Sequence, residues 1–116
     1  MKKYHFIDGK EARKLKSGMP SDETAAKLAE TFRVLADPTR VKILYLLSRG
    51  ELCVHDLAQV LGISQPSASH HLRILRYQGL VKSRREGKRI FYTIDDEHVL
   101  EIFRCGYDHV KHKREK

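Results

Sequence analysis

Apolar residues recur at intervals of three and four along most of the chain, which predicts a mainly helical protein. A capping serine at position 21 opens a first helix, whose apolar stripe is formed by Ala25, Leu28, Phe32 and Leu35. Asp37-Pro38 predicts the start of a second, heavily apolar helix that ends at Gly50. A third, short helix is predicted over about residues 53–61.

The helix that follows has the features of a DNA-reading helix. Gly62-Ile63 turns the chain, and a fourth helix capped by Ser64 runs to Gln78 and ends at Gly79. Two helices joined by a tight turn form a helix-turn-helix, whose second helix enters the DNA major groove. Short hydroxyls and amides suited to base edges occupy its first turns, followed by an arginine that can reach phosphates: Ser64, Gln65, Ser67, Ser69, His70 and Arg73. The alternative is an ordinary surface helix rich in serine, which is disfavoured because serine weakens helix interiors.

A basic hairpin is predicted directly after this helix. Residues 80–85 and 89–93 are rich in β-forming residues and flank Glu86-Gly87-Lys88. A hairpin in this position is a wing, and we expect its cations to contact the DNA backbone: Arg84, Arg85, Lys88 and Arg89. The predicted architecture is a mainly α (α+β) winged helix-turn-helix of about five helices and a two-stranded β-hairpin, which dimerises through its terminal helices. Residues 21–116 form this DNA-binding and dimerisation domain, and the polar residues 1–20 are expected to form a mobile N-terminal arm.

Charge and composition narrow the range of partners. The 116 residues carry a net charge of +8, and residues 64–93 alone contain seven Lys/Arg against one acid. A basic membrane-surface helix is the competing interpretation, but the cluster spans a turn-rich hairpin, so nucleic acid is the favoured polyanion. No apolar run approaches eighteen residues and no signal-peptide segment is recognised, so we expect a cytoplasmic protein with two reduced thiols.

The last helix carries residue types that bind metals. Its continuous pattern over residues 99–108 extends to one stripe that holds His98, Ile102, Cys105, His109 and His112. His98 and His109 lie about 16 Å apart along the axis, whereas a zinc–nitrogen bond is about 2 Å long. One helix therefore cannot surround a single ion with its four polar ligands: Asp96, His98, His109 and His112. If two copies pair antiparallel, each end of the pair holds a tetrahedral N/O set and two equal zinc sites result. The alternative is a solvated helix that happens to carry histidines.

Other classes of function fit the residues less well. An enzyme is disfavoured because four protein ligands leave no open position on a metal, and no nucleophile or general base lies nearby. A metal buffer is disfavoured by the basic hairpin and the serine-rich helix. A winged-helix repressor with no metal response, or one whose thiols sense an oxidant, stays open as an alternative.

Three stretches and the ligand spacing make the sequence similar to the ArsR–SmtB family of metal-responsive bacterial repressors. The stretches are residues 32–40 (FRVLADPTR), 51–58 (ELCVHDLA) and 64–72 (SQPSASHHL). The spacing Asp96-x-His98-x10-His109-x2-His112 resembles the terminal-helix ligand set of the zinc- and cobalt-sensing branch. The resemblance implies a homodimer that binds an inverted repeat of operator DNA when metal-free. Binding of Zn(II), or Co(II), would release it and derepress genes for metal efflux or sequestration.

The resemblance also implies an allosteric link and a second metal site. His109 matches the histidine whose other ring nitrogen ties back to the DNA-binding domain, with a backbone carbonyl near Gly79 as the expected acceptor. Residues 51–58 correspond to the metal box of the family, and the second set of ligands would be Cys53, Asp56, His5 and His55. One thiolate is a poor match for soft ions such as cadmium or arsenite, yet a response to a thiophilic metal or an oxidant through Cys53 stays the alternative. In the competing interpretation Cys53 is a small buried residue and His55 a surface residue.

Overall fold

The computed structural model describes residues 6–114, without the side chain of residue 114. The chain divides into two compact units, Met1–Glu30 and Thr31–Lys116, and the boundary falls within the second helix. Along the described residues the elements are α1 (Gly9–Ser17), α2 (Asp22–Leu35), α3 (Pro38–Arg49), β1 (Leu52–Cys53), α4 (Val54–Leu61), α5 (Gln65–Tyr77), β2 (Val81–Glu86), β3 (Arg89–Ile94) and α6 (Glu97–Arg114). The described part therefore contains six helices and three strands, where five helices and two strands were predicted.

Helix α1 lies within residues 1–20, where no helix was predicted. Its start is capped by Asp8, whose carboxylate accepts a hydrogen bond from the Glu11 amide at 2.8 Å. All of its residues are exposed, so its stability comes from its cap and from the helix propensity of its Lys, Arg, Glu and Ala residues. Hydrophobic periodicity gives no sign of such a helix because it has no buried stripe. The mobility expected for residues 1–20 stays a prediction.

The core of the second unit is built around α3. Asp37 caps this helix by accepting a hydrogen bond from the Arg40 amide at 3.0 Å, and Pro38 occupies its first position. The buried apolar side chains of this unit form one cluster: Val34, Ile43, Leu44, Leu47, Leu57, Leu72, Leu75, Leu80, Val81, Tyr92 and Val99. Because these residues come from five helices and from the hairpin, one core fixes the helix-turn-helix and the hairpin on α3.

Helices α4 and α5 form the predicted helix-turn-helix. The turn begins at Gly62, whose φ of 68° is a left-handed conformation that glycine adopts without a steric penalty. Ser64 then caps α5, since its hydroxyl oxygen accepts a hydrogen bond from the Ser67 amide at 3.1 Å. Leu72 and Leu75 are fully buried, which seats the inner face of α5 on the core. The opposite face stays exposed.

The sheet contains the predicted hairpin and one strand more. Strands β2 and β3 pair antiparallel from Val81 opposite Ile94 to Glu86 opposite Arg89. The short strand β1 pairs antiparallel with the other edge of β3, which gives the order β1-β3-β2. A strand of two residues is too short for a recognisable alternation of apolar and polar positions, so the two-stranded sheet predicted from the sequence is corrected to three.

Helix α6 begins where the sequence predicted a cap. The Asp96 carboxylate accepts a hydrogen bond from the Val99 amide at 3.0 Å, and Val99 itself is buried in the core. The helix then runs without a break to residue 114. Across residues 6–114, no helix combines the length and the apolar character that crossing a bilayer requires.

Candidate nucleic-acid interface and metal centre

The first turns of α5 present the polar groups that the sequence predicted for base reading. Gln65, His70 and Arg73 are exposed, and Ser67 and Ser69 are half-buried. Ser64 has a structural role as well, because its hydroxyl oxygen is occupied by the helix cap. Ala68, between Ser67 and Ser69, is fully buried, so this part of α5 packs directly against the rest of the protein. This surface can enter a groove and hydrogen-bond to base edges.

Exposed cations of the wing lie beside this surface. Arg85, Lys88 and Arg89 are all exposed at or near the tip of the hairpin. A cavity of about 360 Å³ lies where the start of α4, the first turns of α5 and the wing meet; its lining includes Gln65, Ser69, Lys88 and Arg89. The reading helix and the wing therefore flank one open surface, on which a DNA backbone could follow the basic residues.

Arg84, the fourth predicted wing cation, is held by carboxylates. Its Nε donates to Glu51 at 2.8 Å, its Nη2 to the other Glu51 oxygen at 2.6 Å, and its Nη1 to Glu86 at 2.8 Å. Sequence reasoning assigned no role to Glu51. No local pattern could reveal the pair, because its partners lie 33 residues apart in the chain.

The predicted terminal-helix ligands lie at the two ends of α6. Asp96 and His98 are close, with the Nδ1 atom 3.8 Å from the Asp96 Oδ1 atom, and both are exposed. His109 and His112 lie exposed on the last turns of the same continuous helix. Within residues 6–114 of one chain, no group of three or more donors is arranged to hold a metal ion. Three imidazoles and a carboxylate suit zinc chemically, so the set fits a metal only when two chains share it.

Three of the four ligands predicted for the second metal site lie next to one another. The His55 Nδ1 atom lies 3.4 Å from the Asp56 carboxylate, and hydrogen bonds from the Cys53 thiol and then from His55 lower the pKa of Asp56. Cys53 is only 2% exposed, whereas the side chain of His55 is 65% exposed. Among the described residues, these three side chains are not arranged to hold one metal ion. His5, the fourth predicted ligand, lies outside the described residues.

The expected receiver of the allosteric link is a tight helix end. Gly79 adopts a left-handed φ of 72°, and its amide donates to the Arg76 carbonyl at 2.9 Å. The Leu80 amide donates to the Leu75 carbonyl at 2.9 Å. These hydrogen bonds hold the backbone between α5 and the wing in one conformation, so a contact made there would act on both DNA-binding elements.

A hydrogen-bonded cluster that the sequence did not predict joins α5 to the start of α3. The Arg40 Nε donates to the Val34 carbonyl at 2.7 Å, and its Nη1 lies 3.3 Å from the Nδ1 atom of His71. The Asp37 carboxylate lies 3.9 Å from the same ring nitrogen. Local spacing marks His71 only as a residue of α5. Its connection to a side chain 31 positions away has no signature in local spacing.

The chain is similar to bacterial transcriptional regulators. Residues 37–83 match the family described as bacterial regulatory protein, arsR family. A transcriptional repressor SmtB homolog from Synechocystis sp. is 42% identical over 101 residues, covering 87% of this chain and 76% of the relative. A cadmium resistance transcriptional regulatory protein CadC homolog from Staphylococcus aureus is 48% identical over 83 residues, 71% of this chain and 69% of that protein.

The fold agrees with a solved structure as well. The homodimeric winged helix-turn-helix DNA-binding domain Mb0332 from Mycobacterium bovis, a possible ArsR-family regulator, superposes with a TM-score of 0.72 at 35% identity. The match covers 81% of this chain and 90% of that domain. The winged helix-turn-helix architecture expected from the sequence is confirmed.

Proposed function

Because the chain belongs to the ArsR family of bacterial regulatory proteins, we propose that it is a metal-sensing transcriptional repressor. In this proposal the metal-free homodimer binds operator DNA, and Zn(II) or Co(II) releases it, which derepresses genes for metal efflux or sequestration. The observation that carries the proposal is the division of one zinc-type donor set, with all four side chains exposed, between the two ends of one continuous helix. An enzymatic activity is not part of it, since the relatives are transcriptional regulators.

The DNA-binding part of the proposal rests on α5 and the wing. The polar first turns of α5 read base edges, while Arg73, Arg85, Lys88 and Arg89 contact phosphates. A two-fold homodimer presents two such surfaces, so the operator is an inverted repeat whose half-sites match the spacing of the two reading helices.

The dimer interface is proposed at an apolar groove along α6. The groove has a volume of about 410 Å³ and is lined almost entirely by carbon, including Phe32, Val41, Val99, Ile102 and Val110. Ile102 is 42% exposed and Val110 is 58% exposed within one chain. A second copy that packs along this groove would bury these side chains and could bring the ends of two α6 helices together.

At each end of the paired helices, Asp96 and His98 of one chain and His109 and His112 of the other would hold the ion. A bound metal ion would supply a fixed, doubly charged centre in place of solvated side chains. His109 would then be able to direct its other ring nitrogen toward the backbone near Gly79, at the junction of α5 and the wing. Metal binding would lower the affinity for DNA only if this arrangement stabilises the conformation of lower DNA affinity.

A second candidate places the response at Cys53, with a thiophilic metal or an oxidant as the signal. The contact of the Cys53 thiol with Asp56, and of Asp56 with His55, favours it, because three donor side chains are already neighbours there. One of the relatives is a cadmium resistance regulator.

One cobalt(II) titration tests both candidates. The protein bound to labelled DNA is titrated while visible absorption and fluorescence anisotropy are recorded, for wild type, Cys53→Ser and His109→Ala. For the terminal-helix site we expect intense tetrahedral bands without a sulfur charge-transfer feature in wild type and Cys53→Ser alike. DNA affinity should fall about tenfold or more on metal binding. His109→Ala should keep metal-free DNA binding and lose the release.

The remaining outcomes separate the candidates. A charge-transfer feature that disappears in Cys53→Ser would move the sensing site to α4. Release that is unchanged in His109→Ala would remove this residue from the link. Wild-type protein that binds DNA but no cobalt would contradict the metal response altogether.

A further inference from the structure

Arg84 forms a clamp across the full width of the sheet. Two of its nitrogens bind the two oxygens of Glu51 at 2.8 and 2.6 Å, while the third binds Glu86 at 2.8 Å. The guanidinium carbon lies 4.7 Å from the centre of the Phe91 ring. Arg84 thus engages Glu51 in the two-pronged geometry that arginine makes best with a carboxylate, and it also stacks on an aromatic face.

The strand register explains why these groups meet. Arg84 on β2 is paired with Phe91 on β3, and Phe91 is paired with Cys53 on β1, so the three residues form one row across the sheet. Directly paired residues of antiparallel strands lie on the same face. Glu51 stands two positions before Cys53 and therefore falls on that face too. The arginine reaches from the outer strand, over Phe91, to the chain that leads into the inner strand.

The Glu51 end of the clamp adjoins the start of the helix-turn-helix. Glu51 directly precedes β1, and Cys53 at the end of β1 is the N-cap residue of α4. On the other side of the wing, the Arg76 Nη1 of α5 donates to the Ser83 hydroxyl of β2 at 3.3 Å. The base of the hairpin is therefore connected to both helices of the motif, and the Arg84 contact is the stronger connection because it is charged and two-pronged.

The charges disfavour a phosphate contact by Arg84. One guanidinium faces two carboxylates, so the three side chains together carry a net charge of −1. The Arg84 hydrogen bonds hold the pKa of Glu51 below its ordinary value, which keeps that carboxylate ionised. A DNA phosphate that approached Arg84 would have to displace one carboxylate and would be repelled by the other.

Given the proposed DNA-binding function, we propose that Arg84 is a positioning residue, which through Glu51 fixes the wing relative to the helix-turn-helix instead of binding phosphate. The wing cations that reach DNA are then Arg85, Lys88 and Arg89. Their placement on the DNA backbone depends on the clamp.

The test uses Arg84→Lys and Glu51→Gln in the full chain, with a mixed-sequence DNA duplex as the probe. Lysine keeps the charge, and so a phosphate contact, but it lacks the planar fork that holds Glu51. Glu51→Gln removes an acid, so electrostatics alone predicts tighter DNA binding. The clamp predicts the opposite for both variants: binding about three- to tenfold weaker, with the salt slope reduced by about one, because the misplaced wing loses phosphate contacts. Circular dichroism at the temperature of the binding assay establishes that each variant is folded.

Lys82→Arg is the control, since it keeps the charge at an exposed position of the same strand that makes none of the clamp contacts. It should bind within about twofold of wild type. Arg84→Lys that binds like wild type, or Glu51→Gln that binds more tightly, would overturn the proposal.

Hydrogen exchange of the β2 and β3 amides provides a readout that does not depend on DNA. The clamp predicts faster exchange in Arg84→Lys and Glu51→Gln than in Lys82→Arg, and equal exchange would also overturn it. Absence of DNA binding by wild type would contradict the proposed function, while the exchange data would still decide on the clamp.

Discussion

Single side chains connect elements that are distant in the chain. Arg40 donates through Nε to the last turn of α2 and approaches the Nδ1 atom of His71 on α5, while its own amide is bound by Asp37. A guanidinium has no acceptor, so the Nδ1 atom of His71 accepts in this contact. The position of the reading helix thus depends on hydrogen bonds made at the start of α3.

Asp37 makes this junction sensitive to acid. The hydrogen bond from the Arg40 amide, together with the charge of Arg40, lowers the pKa of Asp37 below its ordinary value. A carboxylate whose pKa is lower in the folded state stabilises the fold above its unfolded pKa of about 4, and this contribution is lost as the pH falls through the folded pKa.

We therefore expect the stability difference between wild type and Asp37→Asn to shrink as the pH falls below about 4. Asparagine keeps the helix cap without the titrating group, whereas Asp37→Ala should lower the free energy of unfolding by about 1 kcal/mol at neutral pH. Urea unfolding at a series of pH values measures both effects. Parallel pH curves for wild type and Asp37→Asn would show that Asp37 does not contribute to acid sensitivity.

At the scale of elements, the sequence predicted those that have a strong apolar period or a clear cap. The cap at Asp37, the turn at Gly62 and the cap at Ser64 all lie where the sequence indicated. Helix α1 and strand β1 were not predicted, because one has no buried face and the other has two residues.

The candidate site residues also fall into two groups, those that local spacing predicted and those that it did not. The reading face of α5 follows from local spacing, and its exposed polar groups lie as expected. The Arg84–Glu51 and Arg40–His71 contacts join residues 33 and 31 positions apart, and only the folded chain brings them together. Local periodicity carries information about which face of an element is buried, but not about which distant side chains meet.

The wing is the element whose contribution to DNA binding can be measured most directly. Lys88 is exposed at the hairpin turn, beside Gly87 with its left-handed φ of 62°. Lys88→Ala should weaken DNA binding similarly for all sequences and reduce the salt slope by about 0.9, the value for one lost phosphate contact. Binding measured across a range of salt concentrations gives the slope. Lys88→Arg keeps the charge and should leave the slope unchanged, and an unaltered slope in Lys88→Ala would exclude this residue from the interface.

At the scale of the whole molecule, DNA binding and metal binding are both expected to depend on dimerisation. One chain provides only half of each proposed metal site and one reading helix. The apolar groove along α6 lies between the two pairs of proposed ligands, since Ile102 falls between His98 and His109. A change in the groove should therefore affect both functions without altering any proposed DNA or metal contact.

Ile102→Asp tests this dependence. A carboxylate placed in an apolar interface loses its hydration, so the dimer should dissociate at concentrations where wild type remains dimeric. Tetrahedral cobalt binding by the terminal-helix ligands should be lost together with high-affinity binding to an inverted repeat. The side chain is 42% exposed within one chain, so the monomer itself should stay folded.

Sedimentation equilibrium, cobalt absorption and DNA binding measured on the same samples decide the outcome, with Ile102→Leu as the size-matched control. A monomeric Ile102→Asp protein that still binds cobalt tetrahedrally would show that the metal is held within one chain. The ligands would then have to come from another set, with Cys53, His55 and Asp56 the first to examine, because these three already adjoin in the folded monomer. A dimeric Ile102→Asp protein would instead place the interface elsewhere on the molecule.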